Sequence, residues 1–223
     1  IQPAFMGSFA ICMVIAFGVS FLLTAIVGKK KLAIDVNETA KLAEIAAGTG
    51  ASVAAGVMAS VMEEREACEK GGNGTLTAFL TGKAIPLVDV GDGVFSAGVL
   101  GGGMAIIPES ETLYAPADAQ VAALMPESRH ACGLRLENGM EVLLHIGLDT
   151  VDMKGDGFTY LVKEGQKVSA GTPLIQFDRA KIKAAGHRDV TVCVISNVGN
   201  ARDIQFCTGM DVKENETVVA AFK

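Results

Sequence analysis

The chain has 223 residues, 50% of them hydrophobic and 5% aromatic, with no tryptophan and a net charge of −6 at pH 7. The acidic excess falls after Ala84, which excludes binding through a nucleic-acid backbone and makes a basic docking protein the natural partner. Five cysteines form no C-x-x-C pair and are odd in number, so they read as reduced thiols rather than a disulfide framework or a zinc site.

Taken from the start, residues 1–28 contain no charged side chain. Such a run exceeds the ~20 apolar residues that a bilayer-spanning helix needs. A secretory signal would carry basic residues ahead of the apolar core, whereas Lys29, Lys30 and Lys31 follow it. Residues 1–31 therefore read as a transmembrane helix with its lysines at the cytoplasmic exit, which places the chain at the inner membrane with everything downstream on the cytoplasmic side. Residues 32–76 change to Ala, Gly, Thr and Glu, with short amphipathic stretches at 38–47 and 52–70 interrupted by Gly48, Gly50 and Gly56. Alanine-rich helices of that length are marginal alone, so this segment reads as a linker with transient helix.

Residues 77–223 form the globular part. Apolar or alternating runs of strand length occur at 104–107, 120–124, 140–146, 174–177, 190–195 and 218–222, separated by glycine-bearing turns. Gly101, Gly102 and Gly103 lie between two β-type segments without the lysine and helix of a phosphate-binding loop, and read as a flexible loop. The fold class is all-β, an antiparallel β-sandwich or barrel with one helical turn near 180–185.

Two of the three histidines lie on either side of Asn138-Gly139, a dipeptide that favours a two-residue turn. That turn pairs Leu134 with Leu143 and Cys132 with His145, leaving His130 diagonal to His145 on one sheet face. Leu143, Leu144, Ile146 and Leu148 supply an apolar setting in which a neutral imidazole keeps a lone pair. A second imidazole alongside can donate to a group placed on the first, which suits phosphoryl transfer; no serine or cysteine stands in a G-x-S-x-G elbow. His187 sits in a polar turn and has no assigned role. A zinc peptidase of related shape would need a second histidine where Gly147 stands. A biotinyl or lipoyl carrier would need its lysine at a tight turn, and Lys181 follows Ala180 in a helix-favouring context.

The run His145-Ile-Gly-Leu-Asp149 through Phe158, with Lys163-Glu-Gly-Gln-Lys-Val168 and Leu174-Ile-Gln-Phe177, resembles the glucose-type enzyme IIA domain of the bacterial sugar phosphotransferase system. The resemblance extends from Leu80 through Met104-Ala-Ile-Ile-Pro108 and Tyr114-Ala-Pro116 to Val194-Ile-Ser-Asn197 and the C-terminal strand. It implies an antiparallel sandwich, a phosphoryl group accepted by His145, charge stabilisation by His130 and orientation by Ser128, with neither metal nor cofactor. It further implies docking of the phosphocarrier protein HPr and of an enzyme IIB domain through Phe95, Val99, Leu100, Leu143 and Val151, rimmed by Asp92, Asp149 and Asp152. Since an apolar helix runs into this domain, the resemblance points to the end of an enzyme IIC domain in a permease of B, C, A order, of the β-glucoside, sucrose or trehalose group. A regulatory module that binds other transporters is the alternative role. Ala119, Pro126 and Gly102 depart from the common family pattern.

Overall fold

The computed structural model describes residues 74–223. The apolar run at 1–31 and the linker up to residue 73 lie outside the described residues. Among the described residues no helix is long and apolar enough to cross a membrane. The main sheet has eight strands in the order β13 (Asp211–Val212), β2 (Gly82–Pro86), β3 (Gly102–Pro108), β11 (Thr191–Asn197), β7 (Glu141–Ile146), β6 (Ala131–Leu136), β5 (Ala119–Leu124) and β9 (Lys167–Val168). Two three-stranded sheets accompany it: β1 (Gly74–Thr77), β14 (Val218–Phe222) and β12 (Gln205–Phe206), and β4 (Thr112–Tyr114), β10 (Pro173–Phe177) and β8 (Phe158–Tyr160). Every strand pairing is antiparallel. Since β1 pairs with β14 from Gly74 onward, the folded unit takes in residues 74–76, which composition alone assigns to the linker.

Side-chain alternation divides the main sheet into two faces. Val142, Leu144 and Ile146 of β7, Cys193 and Ile195 of β11, and Met104 and Ile106 of β3 enter the large core, where they meet Leu113, Phe158, Leu174, Ile175, Phe177 and Val219 from the two small sheets. The intervening residues Ala105, Val192 and Val194 build a second, smaller core on the opposite face with Leu87, Val90, Phe95, Leu148 and Val190, against which Leu143 packs. β7 lies inside the sheet, hydrogen-bonded to β11 on one side and β6 on the other, so anything it carries is rigidly placed.

The β6–β7 hairpin corrects the expected register by one residue. Ala131 pairs with His145, Cys132 with Leu144 and Leu134 with Val142. The Leu136 amide donates to the Met140 carbonyl and Gly139 adopts φ 82°. The connection therefore uses three residues and ends on a left-handed glycine, the next commonest hairpin solution after the two-residue turn that Asn-Gly suggests. A one-residue slip exchanges faces: Cys132 is buried in the large core, on the face away from His145.

One further expectation changes. Gly102 and Gly103 open strand β3, and side chains at Gly101 or Gly103 would stand 2.1 and 2.2 Å from the carbonyl oxygens of Ile195 and Cys193, so these glycines allow close backbone approach rather than flexibility. Cys132 and Cys193 are buried free thiols. Lys181 lies in helix α1 (Arg179–Ala184), as its helix-favouring context suggests, with its ammonium 2.6 Å from Asp156, so it occupies no hairpin tip of the carrier type.

The alternation makes a direct prediction. Leu144→Ala, which removes a fully buried side chain, should cost about 2–5 kcal/mol in urea unfolding, and Leu143→Ala, on the more open face, clearly less. Equal losses would mean that the two faces are not packed as described.

Candidate functional site

Across the smaller-core face runs a cross-strand row: Ile85 on β2, Ala105 on β3, Val192 on β11, His145 on β7 and Ala131 on β6. The imidazole of His145 thus rises from an apolar strip, with the methyl group of Ala131 as its cross-strand neighbour on β6. The Phe95 ring leans on it with centroids 5.0 Å apart at 59°. Phe95 is fixed by its loop, because the Asp92 carboxylate accepts from the amides of Phe95 and Ser96 at 3.0 and 2.9 Å. Burial of Asp92 opposes ionisation, but these hydrogen bonds together outweigh it and hold the carboxyl below its usual range.

The tautomers follow from the partners. His145 Nδ1 lies 2.9 Å from the carbonyl oxygen of Gly147. A carbonyl only accepts, so Nδ1 bears the proton and Nε2 of the neutral ring keeps its lone pair. His145 Nε2 is 3.0 Å from His130 Nε2, with the rings nearly perpendicular at 80°. His130 Nε2 must therefore be the donor, which leaves His130 Nδ1 as an acceptor, buried and without a hydrogen-bond partner. Gly147 can turn its carbonyl back only at φ 72°, and a Cβ there would meet Thr150 Cγ2 at 2.4 Å and the Arg188 carbonyl at 2.9 Å.

Burial keeps both rings uncharged. It lowers the pKa of His130, and it lowers that of His145 to about 4, with the neighbouring His130 pushing the same way. The Gly147 carbonyl and the Asp92 carboxylate push in the opposite direction without prevailing. At neutral pH the site therefore offers one unprotonated, correctly tautomeric nitrogen beside one N–H donor.

His145 opens into a depression of about 520 Å³ lined also by Asp92, Val94, Phe95, Leu148, Asp149, Val151, His187 and Arg188. The sequence-derived residues thus converge in part. Asp149 is exposed, with left-handed φ 58°, at the start of the 3-10 turn Thr150–Met153, and Asp152 lies exposed within that turn. Val151 is exposed in the depression, while Val99 and Leu100 are exposed on the loop that follows Phe95, outside it. Ser128 is buried, but its hydroxyl is not hydrogen-bonded to either imidazole. Sequence reasoning passed over the Gly147 carbonyl, the exposed Val94, and His187 with Arg188. Arg188 donates to the Val90 carbonyl at 2.6 Å and accepts from the Leu148 amide at 3.0 Å, so it ties the two walls of the depression together. A glycine two residues beyond a strand histidine was the available signal for the first; the others depend on pairings distant in sequence.

Fold and site define an all-β domain that presents a neutral imidazole on the open face of its main sheet. The chain belongs to the phosphoenolpyruvate-dependent sugar phosphotransferase system EIIA 1 family, whose model matches residues 74–201. Membership carries the family's general role, phosphotransferase work in that system. Relatives include the mannose-specific EIIBCA component of Corynebacterium glutamicum, 45% identical over 63% of this chain and 20% of that protein, and the β-glucoside-specific EIIBCA component of Bacillus subtilis, 40% identical over 68% and 25%. The glucose-specific EIIA component of Oceanobacillus iheyensis is 37% identical over 65% of this chain and 87% of its own length. Among solved structures, glucose permease IIA from Mycoplasma capricolum matches with a TM-score of 0.60 and 34% identity, over 66% of this chain and 93% of that one. The chain therefore spans a fifth to a quarter of the fused relatives and nearly all of the single-domain ones.

The ring environment gives a pH prediction. The folded-state pKa of His145 lies below the value of 6.5 expected when unfolded, so between about pH 6.5 and 4 the unfolded chain binds more protons and stability falls as pH falls. Urea unfolding of His145→Gln should show a smaller acid loss across that window than the parent, and nitrogen-detected titration of the parent ring should give a midpoint near 4. A midpoint near 6.5 would contradict the buried, neutral site.

Proposed function

We propose that His145 accepts a phosphoryl group on Nε2 from phosphorylated HPr and passes it to a cysteine of an enzyme IIB domain, in a permease whose IIC domain ends in residues 1–31 at the inner membrane. The IIA domain then works on the cytoplasmic side, and the permease follows the B, C, A order of the β-glucoside, sucrose or trehalose group. The observation that carries this reading is the 3.0 Å contact between the two Nε2 atoms with His145 Nδ1 already committed to Gly147.

The step needs no proton acceptor. The His145 Nε2 lone pair attacks phosphorus as the donor imidazole's N–P bond breaks and its electron pair returns to the donor ring. His145 then carries Nδ1–H and Nε2–phosphoryl, a cationic ring bearing an anionic group. The Gly147 carbonyl and Asp92, which favour a charged ring, stabilise it. The His130 Nε2–H, released from the lone pair it held, donates to a phosphoryl oxygen, and the Ser128 hydroxyl supplies a further contact. Transfer onward reverses the sequence: a thiolate forms S–P as N–P breaks. Such chemistry depends mainly on positioning and charge stabilisation.

Docking fits the surroundings. Val99, Leu100 and Val151 expose apolar surface near the depression, with Phe95 and Leu143 packed beneath. Asp92, Asp149 and Asp152 supply acidic groups for a basic partner.

His145→Ala should take up no phosphoryl label from phospho-HPr, and the label on the parent should be acid-labile and alkali-stable; near-normal labelling of the variant would overturn the assignment. His130→Gln keeps a donor but loses the imidazole's capacity to take up a proton beside the transferring group. It should still be labelled, while transfer to IIB slows by roughly 10². Unchanged onward transfer would make His130 a bystander.

A further inference from the structure

Tyr160 stands where a rung of the main sheet is missing. β5 and β6 pair as far as Leu124 with Cys132, and one more step would set the Met125 amide against the Ala131 carbonyl. The Tyr160 hydroxyl lies between them instead. It accepts from the Met125 amide at 2.8 Å and reaches the Ala131 carbonyl at 2.7 Å, with the Met125 carbonyl at 3.4 Å. One hydroxyl has one proton, and the shorter contact takes it, so Tyr160 donates to Ala131. Burial raises the phenol's pKa, which keeps that proton in place at neutral pH. The ring comes from the other layer of the sandwich: Tyr160 is on β8, opposite Ile175, and packs against the large core.

The residue before Ala131 is His130, and its direction departs from strand alternation. Cys132 points into the large core, so strict alternation would aim His130 into the same core. Its ring meets His145 on the opposite face. The chain bends at this place, with Arg129 at φ 55° and the His130 carbonyl still accepting from the Ile146 amide at 2.8 Å. A direct amide-to-carbonyl bond at Met125 and Ala131 would close to about 2.9 Å; an interposed oxygen holds the strands apart just where the connection carrying Ser128 and His130 departs.

We propose that Tyr160 is a positioning residue: its hydroxyl, inserted in place of a β5–β6 rung, splits the two strands and lets His130 turn out of the alternation to face His145. In transfer this residue touches neither phosphorus nor partner. It sets the donor geometry of His130, and that consequence rests on the proposed phosphoryl transfer.

Two variants separate the hydroxyl from the ring. Tyr160→Phe keeps the packing and removes the oxygen, whereas Tyr160→Leu removes both. The first readout is the side-chain nitrogen resonances of His130 and His145 in the unphosphorylated protein, which need no donor or acceptor. Both variants should shift the His130 Nε2 signal and weaken its coupling to His145 to a similar degree. In transfer assays both should be labelled by phospho-HPr within about twofold of the parent, while onward transfer slows about tenfold, a sub-ångström fraction of the roughly 10²-fold that a 1 Å misplacement can cost. Phe behaving as the parent with only Leu altered would show a packing role and overturn the proposal, as would altered ring signals with onward transfer unchanged. Failure of the parent itself to take up label would refute the proposed function, and the nitrogen signals would still decide the strand-splitting role.

Discussion

The site turns on one hydrogen bond, from His145 Nδ1 to the Gly147 carbonyl at 2.9 Å. An imidazole in water exchanges its proton between two nitrogens and titrates near neutrality. Here the carbonyl fixes the proton on Nδ1, and burial among Phe95, Leu148, Val192 and Val194 discourages a second one. Neither factor is sufficient alone: without the carbonyl the tautomer is undetermined, and without burial a large share of rings would be protonated at mildly acidic pH. The carbonyl in turn depends on Gly147 holding φ 72° in a space closed by Thr150 and the Arg188 backbone. Thr150 is itself fully buried and hydrogen-bonded to the Ile146 carbonyl.

The sandwich separates stability from chemistry by face. The face of β7 that carries Val142, Leu144 and Ile146 belongs to the large core, where sheet meets sheet. The other face carries Leu143 and His145 over a much smaller apolar cluster. An interior strand cannot slide without breaking ladders on both sides, so the imidazole is firmly held while remaining open to the depression. Leaving His130 Nδ1 buried and unpaired costs something on the order of 1–3 kcal/mol. The large core can sustain such a cost, and the residue tolerating it is one the proposed chemistry uses.

The parts of this structure that were legible in the sequence are those governed by local patterning. The long strands β3, β5, β7, β11 and β14 and the α1 turn fall where apolar alternation and glycine punctuation put them, and the two histidines were legible from their positions about a hairpin. What stayed hidden depends on geometry that sequence separation conceals. Asn138-Gly139 is compatible with both two- and three-residue connections, and the local sequence does not choose between them. With the correct register and strict alternation, His130 would point into the core. The erroneous register therefore paired the rings for the wrong reason, and the true cause involves a break in the ladder near Tyr160, thirty residues on. Gly101 and Gly103 read as flexible because nothing local announces that the backbone of β11 will pass within 2.2 Å of where their side chains would stand. His187 and Arg188 read as a polar turn for the same reason: their proximity to His145 comes from the β10–β11 connection folding over the end of β7.

A phosphoryl carrier has a requirement that ordinary binding sites lack, since it must accept and release the same group at comparable free energy. On the proposed reading, the surroundings of His145 meet it through opposed effects. Desolvation disfavours a cationic ring, and so disfavours the phosphorylated state in which Nδ1 keeps its proton. The Gly147 carbonyl and Asp92 favour that same charge. Were desolvation unopposed, the charged phosphorylated ring would be disfavoured further; were the polar groups to prevail, the bare ring would be protonated at neutral pH and no longer a nucleophile. The bare ring's pKa of about 4 reflects burial only partly offset by those groups. It places the neutral nitrogen well populated at pH 7 while keeping a route by which positive charge, once bound to an anionic phosphoryl group, is tolerated.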